Sequence, residues 1–330
     1  MSITVAGHLC VDLTPSLRGA FVAEPGRLHD VGPLRARLGG CVANTGRALM
    51  RAGLQTTLRA DVGTDALASL VRDLARSEGF AADGLVSRGD ASTSYSIVIE
   101  SPGVDRSFWH HAGANDLFIG DDIVVDGTDI LHLGYPSLLA SMRAADGAAL
   151  RGLFRRAADA GTATSLDLAV VDAASRDGTD WGALLDEVLP LTSIVSPSVD
   201  DLRSLASMVD PGWIDARADE LARDLVRRGA AVAMVSAGAD GLNLAVADEE
   251  RLGRAGGAVA RLRGWAGAGI STPAAPPTRI ISTNGAGDAA TAGLLAAVVG
   301  RRTPAQALES AARSAADAIA FNADDGGATP

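Results

Sequence analysis

Ser282-Thr283-Asn284-Gly285-Ala286-Gly287-Asp288 combines two things that phosphoryl transfer needs. The small residues Gly285, Ala286 and Gly287 precede a helix-like run at 289–299. A turn that opens a helix leaves backbone N–H groups free and points a partial positive charge outward. With almost no side chain in the way, a phosphoryl group can approach that backbone closely. Asp288 adds one carboxylate beside the anion site. A carboxylate is a poor phosphate ligand but a suitable base for a hydroxyl that attacks phosphorus. The pattern therefore reads as phosphoryl transfer to an alcohol, against the plainer reading of a Gly-rich turn with an Asp cap.

Composition narrows the classes. A chain of 330 residues with 47% hydrophobic content can bury one large α/β core or two smaller ones. A net charge of −11 argues against nucleic acid or an anionic membrane as partner. No apolar stretch approaches the roughly 20 residues of a membrane span. The segment 1–6 runs directly into a strand pattern without a signal-peptide core, and Cys10 and Cys41 alone make no disulfide framework. A cytoplasmic location is the expectation. All 29 basic residues are arginine. A chain without lysine has no Walker A, Schiff-base or pyridoxal-phosphate lysine, so any ATP site is built without a P-loop.

The elements that must position these residues alternate. Apolar strand-like runs at 3–6, 56–60, 94–100, 130–133, 163–168, 193–195, 231–236, 242–245 and 279–281 are interleaved with helical patterns at 43–53, 67–79, 142–160, 181–189, 217–228, 289–299 and 304–319. This is the signature of an α/β fold: a central, mostly parallel sheet with helices on both faces, whose ligands gather at the carboxyl ends of the strands. Two segments break the rhythm. Residues 13–38 carry Pro15, Pro25 and Pro33, and 92–111 read as a hairpin turning at Ser101-Pro102-Gly103. Both are expected to form a small β lid inserted in a single domain spanning 1–330. Residues 253–277, rich in Gly, Ala and Pro, are expected to be loop. Phe108 and Trp109 are expected to pack within the lid. His110 and His111, as strand neighbours, point to opposite faces, so at most one meets the site, and the pair lacks a third metal ligand.

Six stretches then fall in a familiar order. They are Ala6-Gly7-His8 with Val11-Asp12; Gly39-Gly40-Cys41-Val42-Ala43-Asn44 with Gly53 and Gly63-Thr64-Asp65; and His111-Ala112-Gly113-Ala114-Asn115. Leu131-His132-Leu133-Gly134-Tyr135-Pro136, Ser236-Ala237-Gly238-Ala239-Asp240-Gly241, and Asn284 to Asp288 with Gly293 complete them. Together they resemble the ribokinase-like (PfkB) carbohydrate kinase family over nearly the whole chain. The resemblance implies an α/β/α sandwich with a small β lid, ATP and Mg²⁺ as cofactors, and an acceptor that is a free sugar or sugar-like molecule, phosphorylated on a primary CH2OH. It implies Asp288 as general base and Gly285, Ala286 and Gly287 as the anion hole. Asp12, Gly39, Gly40 and Asn44 would bind the acceptor; Ser236, Gly238, Gly241 and Asn284 would bind the nucleotide. A homodimer through the lid is a further implication.

Three departures from the family pattern bear on details. Ser282 stands where relatives carry an Asp that helps hold an activating monovalent cation, which puts that cation in doubt. The Asn-x-x-Glu motif that organises Mg²⁺ through water reads Ser198-Val199-Asp200-Asp201, leaving Asp201 as the metal-side carboxylate. Asp167-Leu168-Ala169-Val170-Val171 replaces an Asp-x-Asn-x-Arg strand, which weakens a sugar-acid substrate. Arg106 is the candidate near the lid for meeting an acidic substrate, against the favoured reading of a solvated hairpin residue. The competing readings are a nucleoside kinase on the same scaffold and a non-catalytic regulator that binds sugar or nucleotide.

Overall fold

The structure, a computed structural model, describes residues 2–17, 19, 21, 25–26, 28–100, 107–171 and 178–320. Its backbone is a nine-stranded sheet built from β1 (Ser2–Gly7), β4 (Gln55–Val62), β5 (Leu85–Ser87), β8 (Ile130–Gly134), β9 (Ala163–Leu166), β10 (Ile194–Val195), β11 (Val232–Ser236), β12 (Leu242–Val246) and β13 (Gly269–Thr272). Their order is β13-β12-β11-β10-β9-β8-β1-β4-β5. Strands β5 to β11 in that order run parallel, and β12 and β13 are antiparallel additions at one edge. The parallel strands are short apolar runs because both faces are covered: five of six residues of β1 and all of β8 are buried.

Alternation along β1 assigns the two faces. Ile3 and Val5 join the core shared with α1 (Gly40–Arg51), α2 (Ala66–Ser77), α7 (Glu249–Gly253), α8 (Ala286–Val299) and α9 (Pro304–Ala320). Ala6 joins the opposite core, shared with α3 (Ala140–Asp159), α4 (Trp181–Val188), α5 (Val199–Leu205) and α6 (Ala218–Arg227). Helix α8 is buried around nearly its whole circumference, which explains its apolar, Ala-rich sequence. Gly293 serves packing there: a Cβ would lie 2.7 Å from the Ser310 carbonyl oxygen of α9.

A second sheet of four strands, ordered β3-β2-β6-β7, consists of β2 (Cys10–Pro15), β3 (Leu34–Gly39), β6 (Tyr95–Ile99) and β7 (Ser107–His111). It occupies the segments where a small β insertion is expected, and it starts earlier in the chain, at Cys10, so that Asp12 lies on it. The hairpin turn at 101–103 and Arg106 fall outside the described residues. Phe108 and Trp109 differ from expectation. They are 46% and 52% exposed, with Trp109 meeting Phe21 edge-on at 6.0 Å between ring centroids.

Other differences have local causes. Residues 279–281 form no strand: Ile280 is exposed, and Ile281 donates its N–H to the Ile319 carbonyl of α9 instead of to a ladder. The antiparallel edge comes from β13, inside the stretch expected to be loop, together with α7. Helix α3 is interrupted at 144–147, where Ala145, Asp146 and Gly147 take positive φ. Among the described residues no helix is long and apolar enough to cross a membrane.

Candidate active site

Helix α8 begins earlier than its apolar pattern indicates. Ala286, Gly287 and Asp288 form its first turn, and Gly285 is its N-cap at φ +76°. Gly285 is required twice over, by that left-handed conformation and because a Cβ would press to 3.1 Å from the Asn44 amide carbon. The Ala286 N–H bonds the Thr283 carbonyl at 3.3 Å. The N–H groups of Gly287 and Asp288 are the donors that a helix start leaves without an intrahelical partner. A Cβ on Gly287 would meet nothing within 4 Å, so the space in front of this turn is open to a ligand.

Asp288 is buried and held from three directions. Asn44 Nδ2 of α1 donates to its Oδ2 at 2.9 Å, Thr45 Oγ1 donates to Oδ1 at 3.3 Å, and the Tyr135 hydroxyl reaches both oxygens at 2.7 Å. Burial pushes its carboxyl above the usual carboxylate range; the donors from Tyr135, Asn44 and Thr45, and the charge of Arg47, offset part of that rise. Burial, with the Asp288 charge second, drives the Tyr135 phenol well above its ordinary value, so it stays protonated as a donor. Arg47 locks the layer behind. It donates to the Asn44 side-chain Oδ1 at 3.1 Å and is paired with Glu78 at 2.9 Å.

The residues expected to bind the acceptor converge on the start of α1. Asp12 lies over Gly39, where a Cβ would come within 2.3 Å of its Oδ2. Gly40 takes φ +83°, and a Cβ there would meet His8 Nδ1 and its carbonyl at 2.6 Å. Asn44, expected to touch the acceptor, spends its amide donor on Asp288. Pairing across the small sheet puts Asp12 opposite Ser96 and Ser96 opposite His110, so these three share a face, whereas Tyr95 and His111 lie on the other. His8, below that face, is fully buried; burial and His110 lower its pKa to about 3, so the ring is neutral.

The nucleotide-side residues separate into two groups. Ser236 and Gly238 line an open cleft of about 520 Å³ together with Ser198, Arg203 and Arg217 at the carboxyl ends of β10 and β11. The cleft wall does not include Asp288. Gly241 is buried at φ +93°, its Cβ direction blocked by the Thr272 carbonyl, and so serves the turn rather than a ligand. Asn284 is exposed beside Gly285, its N–H bonded to Ser282 Oγ at 3.2 Å.

Asp201 is turned back on its own helix. Its Oδ2 accepts the Ser198 N–H and the Ser198 hydroxyl, each at 2.7 Å, making a capping box at the start of α5. Burial pushes it up to about 6. Asp167, at the end of β9, is also buried and well above the usual range, because of burial first and then the charges of Asp288 and Asp201. Carboxylate oxygens are the donors a hard cation such as Mg²⁺ takes, but among the described residues Asp288, Asp201 and Asp167 do not converge on one point as direct ligands, so they suit an ion held through water.

Tyr135 and Asp167 fall inside stretches that the motif reading names but to which it assigns no site role, and Thr45 falls in none. Tyr135 was legible through its place, immediately after a core strand and at its carboxyl end, where such sheets bind ligands. Thr45 had no signal beyond adjoining Asn44.

Comparison with known proteins identifies the family and the fold. Residues 2–321 match the family model described as pfkB family carbohydrate kinase. The structure resembles an Arabidopsis thaliana ribokinase complexed with ribose and ATP, at 20% identity and TM-score 0.73, over 97% of this chain and 93% of that one. It also resembles a Burkholderia thailandensis nucleoside kinase in complex with inosine (17% identity, TM-score 0.69, 97% and 92% covered). A third similar structure is a Xylella fastidiosa fructokinase with bound ATP, at 22% identity, TM-score 0.71, and 97% and 92% covered. No curated protein matches the chain at significant similarity. With nearly every residue inside the family model and the fold shared end to end, this chain belongs to the pfkB family of carbohydrate kinases.

Proposed function

We propose that this protein transfers the γ-phosphoryl group of ATP to a primary hydroxyl of a free sugar or sugar-like acceptor. The observation that carries the reading is Asp288: a buried carboxylate with an elevated pKa, fixed by Asn44, Thr45 and Tyr135, one residue from the open backbone at Gly287. Asp288 takes the proton of the attacking hydroxyl. The N–H groups of Gly287 and Asp288, at the positive end of α8, receive the oxygens of the transferred group. Asp12 accepts hydrogen bonds from acceptor hydroxyls, and Gly39 and Gly40 leave bare backbone for the ring. Ser236 and Gly238 border the nucleotide cleft, whose charged lining is Arg203 and Arg217 together with Asp200, Asp215, Asp219 and Asp240, Arg217 being paired with Asp219. Asp201 and Asp167 would hold Mg²⁺ through water, and when bound it would neutralise phosphate charge. The small sheet acts as a lid whose closure keeps water, a competing acceptor, away from the phosphoryl group. Its open edge β7, with Phe108 and Trp109 exposed, supports a homodimer through the lid.

A nucleoside acceptor is the second reading, favoured by one feature. Val98 pairs with Phe108, which puts Phe108 on the Asp12 face of the lid, where a base could stack. ADP release from Mg-ATP, followed across pentoses, hexoses, sugar acids, polyols and nucleosides, tests both. Turnover with a free sugar is the expected result. Turnover with nucleosides alone moves the assignment to the second reading. Silence throughout, with measurable binding of Mg-ATP or a sugar, overturns catalysis and leaves a ligand-binding regulator.

A further inference from the structure

Beside the acceptor residues, the fold brings together His8, Cys10 and His110, with one ligand atom of each within 4.8 Å of the others. They come from the β1–β2 turn, the start of β2 and strand β7, so His110 meets His8 and Cys10 only through the fold, while its neighbour His111 lies on the other face. His8 and Cys10 are buried. His8 Nε2 and His110 Nε2 are 3.3 Å apart, long for a neutral N–H···N bond. The same separation is about the edge of a tetrahedron whose centre lies roughly 2.0–2.1 Å from each nitrogen, the usual zinc–imidazole distance. Ser96 Oγ lies 3.1 Å from His110 Nδ1 and orients that ring, as partners behind a metal-bound histidine do. Asp12 Oδ1, 3.4 Å from Cys10 Sγ, borders the fourth side.

We infer that His8, Cys10 and His110 form a binding site for one zinc-class divalent transition-metal ion, separate from the carboxylates proposed for Mg²⁺. Two imidazoles and a thiolate select a borderline-soft ion over a hard one. On binding, the Cys10 thiol gives its proton to solvent and an S–metal bond replaces the S–H bond. The ion ties the end of β1 to β2 and β7, and so joins the small sheet to the main one. The fourth coordination position, on the Asp12 side, is left for water or an acceptor oxygen.

The test is titration of the metal-free full chain with Co²⁺ and then Zn²⁺, without nucleotide. The expected result is one Co²⁺ per chain, a thiolate-to-cobalt charge-transfer band, and displacement by Zn²⁺. Cys10→Ser removes the band, and His110→Gln, on the open strand β7, weakens Zn²⁺ binding by at least tenfold, in line with the loss of a ligand. Cys41→Ser keeps both, although Cys41 sits 3.2 Å from His132 and is the one other cysteine. Absence of the band in the wild-type chain, or Zn²⁺ binding by His110→Gln as tight as wild type, overturns the site whatever the folding of the Cys10 variant.

Discussion

The half of this site proposed for the acceptor and the half proposed for the nucleotide are built on opposite principles. Around Asp288 everything is buried and cross-braced: Asn44, Thr45 and Tyr135 grip the carboxylate, and Arg47 with Glu78 grips Asn44. Around Ser236 and Gly238 the cleft is open, lined by exposed charges and backbone turns. The difference follows the chemistry. A base must be held at a fixed place and pKa before the hydroxyl arrives, and low dielectric is tolerable only when its donors are complete. A nucleotide brings its own charge and shape, so its site needs accessible donors more than rigidity.

Perturbing the braced half is therefore expected to cost turnover, and perturbing the open half to cost affinity. The largest effect is at Asp288. Asp288→Asn loses the base and lowers kcat by about 10²–10⁴-fold in steady-state ADP formation, with calorimetric Mg-ATP affinity unchanged. Gly287→Val comes next. A Cβ there has nothing within 4 Å outside its own helix, so the fold is expected to hold while the phosphoryl space is filled and kcat falls about 10²-fold or more. Gly287→Ala gives the matching contrast: thermal unfolding shows stability rising by about 0.5–1 kcal/mol from helix propensity while activity falls.

Tyr135→Phe is a smaller, directional test. The phenol stabilises ionised Asp288, so removing it raises that pKa further. Asp288 works as a base only when ionised, and activity is lost as pH falls through its pKa. The acid limb of kcat/KM is thus expected at higher pH in the variant than in the wild type. The smallest effect belongs to the open half. Ser198→Ala removes the α5 cap, costs about 0.5–2 kcal/mol of stability, and frees Asp201, with KM for Mg-ATP changing more than kcat.

The same contrast governs what sequence could reveal. The α/β alternation and the turn at 285–288 were legible because strand period, helix period and small-residue spacing are local properties. Asp12 and Asn44 were legible through motif order, but that Asn44 bonds Asp288, 244 residues away, is a product of packing α1 on α8. Tyr135 carried only its position at a strand end. The edge strand β13 was missed because its four residues, Gly269–Thr272, alternate only weakly, whereas 279–281 looked strand-like by composition and had no ladder to join. Ser198 and Asp201 read as a metal motif, and their first structural role is to cap a helix too short to announce itself by period.

Transfer of isotopically labelled γ-phosphate in a single turnover tests the central claim most directly, with wild-type chain in excess over Mg-ATP and the best acceptor present. The expected result is label on the acceptor's CH2OH oxygen in the wild type and transfer slower by about 10²–10⁴-fold in Asp288→Asn, although both bind the nucleotide. Equal transfer by the two proteins would remove Asp288 from the chemistry. Label that stays in bound ATP would contradict the kinase itself.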